Sequence, residues 1–208
     1  MPEKAVETGH LEVEEIIAAE YTYIAQTAFQ AQEDRARVTS FYIVSLASLF
    51  GAFFSTSFKE DASALLYFSF AGLFFFLSYF GFITLKQLVL LRKAWFESAH
   101  AMNQIKDFII TKNTELNKVF RWQTKTLPDL YKPKSVAFLL AKQVALLGAI
   151  TSGATAFYAG KGGEAFLSEN LRVETYANSS YILILVAIII GYVFYQYQMN
   201  TYRKELEA

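Results

Sequence analysis

The chain contains no cysteine, three prolines and two histidines among its 208 residues. Without cysteine there is no disulfide framework, no thiolate nucleophile and no cysteine-based zinc site. His10 and His100 have no second histidine at a metal-binding offset. Glu97 and Gln104 lie one turn from His100, but a partly exposed helical histidine is the simpler reading. The Gly-x-Ser-x-Gly and His-Glu-x-x-His patterns are absent, so no enzyme activity, cofactor or metal is expected. Gly160, Gly162 and Gly163 surround Lys161 but lack the Ser or Thr and the preceding strand of a phosphate loop; they read as a flexible outer turn. Charge is scarce as well: 18% of residues, against about 25% in an average soluble domain. A formal net charge of zero gives no global attraction to nucleic acid, which is therefore not an expected partner.

What the chain does have is apolar length. Four runs carry almost no charge: Thr39 to Phe58, Ala64 to Leu85, Val136 to Tyr158 and Tyr181 to Tyr195, the last extended by Gln196 to Met199 at its interfacial end. A helix needs about 20 residues to cross ~30 Å of hydrocarbon, so the expected fold is all-α, a four-pass transmembrane bundle with a cytoplasmic helical hairpin or stalk. The lipid bilayer is the first expected partner. Near the span ends one side holds Arg35, Arg37, Arg92, Lys93, Lys132, Lys134, Arg203 and Lys204, and the other only Lys59, Lys161 and Arg172. The excess of basic residues places both termini in the cytoplasm of a bacterial inner-membrane protein. Lys86 and Lys142 enter membrane depth and read as snorkelling cations. The amino terminus is acidic rather than basic and is not expected to be a cleaved signal.

The domains follow in order: a cytoplasmic helix (1–38), a transmembrane hairpin (39–85), a cytoplasmic extension and linker (86–134), and a second hairpin (135–208) with an outer loop (159–180). Residues 11 to 38 run without proline or glycine into the first span and predict one continuous helix. Asp61 and Ser63 are positioned to cap the second span, and Ser135 the third. The second span is predicted to continue as helix to about Arg121. Along it Leu88, Trp95, Met102, Ile109 and Leu116 recur every seven residues, an oligomerisation stripe or the seam of an intramolecular hairpin with residues 11 to 38. Pro128 and Pro133 end this excursion. In the third span Ala145, Ala149 and Gly153, with Gly148 and Ser152 beside them, are small enough for close helix packing. The fourth span is branched and bulky and suits contact with lipid. Arg35, Arg37, Arg92 and Lys93 form a candidate membrane-surface anchor.

The stretch Arg35-Ala-Arg37-Val-Thr-Ser-Phe-Tyr42, a helix meeting a first span, then a close second span and a long helix, resembles the small bacterial membrane effectors of the SLATT and RipA-like groups over about Leu11 to Arg121. The resemblance implies oligomeric assembly and membrane perturbation; the third and fourth spans depart from that two-span plan. The expected function is a non-enzymatic homo-oligomer that forms or gates a pore. The alternative is a scaffold recruiting a cytoplasmic protein partner through residues 88–134. The charge asymmetry makes a direct prediction: protease added to sealed, right-side-out cells leaves both tails intact, and trimming of either tail reverses the assigned orientation.

Overall fold

The computed structural model describes residues 13–55, 63–171 and 179–207. Four long helices make up most of it: α1 (Val13–Ser55), α2 (Ala64–Lys112), α3 (Val136–Leu171) and α4 (Ser179–Glu207). Two short 3-10 turns, Thr114–Lys118 and Thr124–Thr126, lie between α2 and α3, and no strand occurs among the described residues. Each long helix is apolar and long enough to cross a membrane. The all-α architecture read from hydropathy, with four long apolar helices that could span a membrane, is thus the observed one.

The helix boundaries have local causes. α1 runs unbroken through the junction at residue 38, as the absence of proline and glycine predicts. Ser135 Oγ accepts from Phe138 N at 3.2 Å and caps α3. At α2 the capping differs from expectation. The Ser63 carbonyl accepts from Leu66 N at 3.0 Å, and Glu169 of α3 accepts from Ala64 N at 3.1 Å, placing a carboxylate on the helix N-terminus. Asp61 lies outside the described residues.

Two expectations are corrected. α2 ends at Lys112 rather than near Arg121, because Asn113 turns to extended backbone and its side chain accepts from Glu115 N at 3.2 Å. That local bond competes with helix continuation. α3 is helical through Gly160 to Gly163 and on to Leu171, where a loop from residue 159 was expected. Phe68 packs against Gly162, and Leu183 against Gly160, so tertiary contact outweighs the helix penalty of glycine. Lys161 adds bonds to Glu164 at 3.0 Å and to Ser180 at 2.7 Å.

The chain divides into two compact units, residues 1–33 with 93–129 and residues 34–92 with 130–208. In the first unit, Ile17 and Tyr21 of α1 share a groove with Ile105 and Ile109 of α2. The segment after α2 folds back on it: Asp107 Oδ2 accepts from Thr124 N at 3.3 Å, and Asn103 Nδ2 donates to Gln123 O at 3.3 Å.

In the second unit the core gathers Tyr42 and Leu46 of α1, Phe74, Leu77 and Leu85 of α2, Val144 of α3 and Tyr202 of α4. Tyr158 is stacked on Phe74 at 5.5 Å and meets Phe53 edge-on, so it belongs to an interior aromatic cluster. Where α3 crosses α4 the backbones nearly touch: a Cβ added at Gly153 would lie 2.8 Å from Ala187 O, and one at Gly191 would lie 2.8 Å from Ala149 O. Gly191→Ala therefore destabilises the protein by about 1–3 kcal/mol, the usual range for overpacking. Gly72→Ala, where an added Cβ meets nothing within 4 Å, gains up to about 1 kcal/mol of helix propensity. Thermal melts of the two variants in mild detergent should move in opposite directions; equal shifts would contradict the close crossing.

Candidate functional site: polar groups buried among apolar helices

Within the second unit, four polar side chains of the apolar helices lie inside. Ser78, Thr84, Thr151 and Gln198 are all buried. Two of them, Ser78 and Thr151, share the carbonyl oxygen of Gly148, whereas Thr84 Oγ1 donates to Phe80 O at 2.9 Å within its own helix. Ser78 Oγ donates to Gly148 O at 3.2 Å and Thr151 Oγ1 at 3.0 Å. Tyr42 reaches the same region from α1, donating to Leu77 O at 3.4 Å across the notch left by Gly81. By helix rise, Ser78 lies roughly 10 Å inside the apolar stretch that ends at Leu85. Glycine at 148 leaves room for the Gln198 amide, since a Cβ there would stand 2.8 Å from Gln198 Nε2 and 3.1 Å from Oε1.

Gln198 is the exception in the cluster. It is 0% exposed, yet neither its amide nitrogen nor its amide oxygen makes a hydrogen bond with any described residue. A buried amide group left without a partner costs about 1–3 kcal/mol, which makes this side chain the natural one to substitute. Sequence reading passed over it, since Gln196 to Met199 looked like the interfacial end of a span. The available signal was its spacing from Gly191 and Tyr202, which puts all three on one face of α4.

The candidate packing residues lie together. Ala145 and Ala149 are buried, Gly148 faces Gln198, Ala149 and Gly153 meet α4, and Ser152 is half-buried beside them. The heptad row is dispersed instead. Leu88 is buried in the second unit, while in the first unit Trp95 and Met102 line a cavity of about 210 Å³ with Trp122, Leu127 and Pro128. Ile109 faces α1, and Leu116 sits in a 3-10 turn beyond the end of α2. The chain itself supplies neighbours for much of this stripe.

The anchor residues also divide. Arg37 is exposed and pairs with Asp34 at 3.6 Å, and Lys93 is half-buried in the first unit. Arg35 and Arg92 are each only 6% exposed, in the second unit with Tyr202. Arg92 Nε donates to Leu130 O at 3.1 Å. Burial, and after it the charge of Arg92, lowers the Arg35 pKa; burial lowers that of Arg92 as well. Burial raises the Tyr202 phenol, while both guanidinium charges pull it back down. Arg35 and Arg92 thus lie buried beside the Tyr202 phenol, whereas Arg37 is exposed. His100 accepts from Gln104 Nε2 at 3.1 Å, one turn away on α2.

The chain matches no protein-family model, no curated protein and no solved structure. The unsatisfied amide yields a test on its own. Gln198→Leu, which removes the amide at similar size, raises the unfolding free energy by about 1–3 kcal/mol, read as a higher melting midpoint in mild detergent. A clearly lower midpoint would mean that the amide is already satisfied.

Proposed function

We propose that the protein is a non-enzymatic, multi-pass inner-membrane protein whose copies assemble into a gated pore or a membrane-perturbing oligomer. The observation that carries this reading is the placement of polarity. The outer face of α4 is apolar through Leu185, Ile188, Ile189 and Val193, whereas Ser78, Thr151 and Gln198 are sequestered inside. In hydrocarbon a bundle keeps its hydrogen-bonding groups inward. The Gln198 amide, unsatisfied in this packing, would gain partners from water on any rearrangement that wets the cluster, which biases the bundle towards opening.

A single chain has its interior filled by Tyr42, Leu77 and Val144, so a conducting path requires several copies. The resemblance of residues 11–121 to SLATT and RipA-like effectors agrees with assembly. The basic excess beside Arg35, Arg92, Lys132 and Arg203 supports an orientation with both termini in the cytoplasm.

Ion efflux from liposomes containing the purified protein tests the proposal. Efflux is expected at densities where crosslinking traps oligomers, with at least about a five-fold fall in Gln198→Leu, the factor that ~1 kcal/mol supplies. Tight vesicles at an oligomer-forming density would overturn the pore. The exposed Phe108, Val119 and Trp122 would then favour a scaffold that docks a cytoplasmic protein through residues 88–134.

A further inference from the structure

Lys142 is a cation within an apolar run, placed about 9 Å along α3 from Val136 by helix rise. Two other lysines in the apolar helices, Lys86 and Lys161, have partners among the described residues. The Lys86 ammonium lies 5.2 Å over the Phe82 ring, and Lys161 pairs with Glu164 at 3.0 Å. Lys142 is exposed and makes no ion pair with any described residue. An ionisable group at such a position calls for a named counter-charge.

Beside Lys142 opens a groove of about 720 Å³ between α3 and α4. Its volume is within the roughly 300–1,000 Å³ of ligand sites. The floor is made by Ala149, Gly153 and Gly191, whose lack of side-chain bulk lets the two backbones meet and leaves the space above them unfilled. Lys142 and Tyr195 close one end of it, and Tyr158 lines α3 towards the other. From Lys142 to Tyr158 is about 24 Å of helix, more than the ~15 Å depth of one leaflet. The groove is therefore long enough for one acyl chain, apolar along its walls, and positively charged at a single end.

We infer that the α3–α4 groove seats an acyl chain of an anionic phospholipid whose phosphate pairs with the Lys142 ammonium. Charge complementarity selects the occupant. A zwitterionic lipid offers the same phosphate together with a competing cation, whereas phosphatidylglycerol offers the phosphate alone. Snorkelling of Lys142 brings its ammonium up to the depth at which that phosphate lies.

Native mass spectrometry of the full chain from mild detergent, titrated with phosphatidylglycerol or phosphatidylcholine, tests the assignment. The wild type should retain phosphatidylglycerol about five-fold better, the factor given by ~1 kcal/mol per basic residue near an anionic surface. Lys142→Gln should bring the ratio near one, while Lys204→Gln, at an exposed cation outside the groove, should leave it unchanged. Because Lys142 is exposed and makes no ion pair with any described residue, its substitution should not disturb folding, which an unaltered melting midpoint would verify. Soluble glycerophosphoglycerol should fail to displace the lipid. An unselective wild type, equal losses in the two variants, or displacement by the headgroup alone would each overturn the inference.

Discussion

Hydrocarbon offers no hydrogen bonds, and that constraint governs this molecule. A polar group carried into the bilayer must find its partner inside the protein. In the second unit the solution centres on one carbonyl, Gly148 O, which accepts from Ser78 of α2 and Thr151 of α3. The same glycine leaves room for the Gln198 side chain of α4. Small residues on α3 thus do two things at once. They let helices approach to backbone contact, and they expose the acceptor around which the polar groups gather.

Most of the architecture is legible in the sequence because it is set by composition over long windows. Four apolar runs give four helices, the unbroken stretch before residue 39 gives a continuous α1, and the Ala149 to Gly153 spacing marks a close crossing. The features that escaped are set by single contacts between distant residues. Gly191 is hidden in a β-branched run yet is the partner of Ala149. Asn113 stops α2 where the apolar row continues, and the return segment is then held by Asp107 and Asn103, bonds that no local pattern announces. The glycines at 160 to 163 look like a loop until Phe68 and Leu183 are seen to pack on them. Gln198 and Arg35 stand at the margins of apolar runs, where composition reads interface and the structure has burial.

The two ends of the second unit are built differently. At one, Arg35, Arg92 and Tyr202 are buried together, with Arg92 bonded to the Leu130 carbonyl that follows Pro128. At the other, Lys161, Glu164, Ser180 and Glu169 link α3 to the starts of α4 and α2. Polar bonds therefore link helices at both ends, with the aromatic and aliphatic core packed between them.

All of this depends on helices that face lipid on one side and one another on the opposite side. The absence of cysteine makes every engineered cysteine a unique labelling site. Spin labels placed singly along α4 in proteoliposomes, read for accessibility to oxygen, give the most direct measurement. The account predicts high values at 185, 188, 189, 192 and 193, minima at 191 and 198, and exclusion of a water-soluble relaxation agent throughout residues 182–193. Uniform oxygen accessibility around α4, or entry of the aqueous agent at its centre, would contradict it.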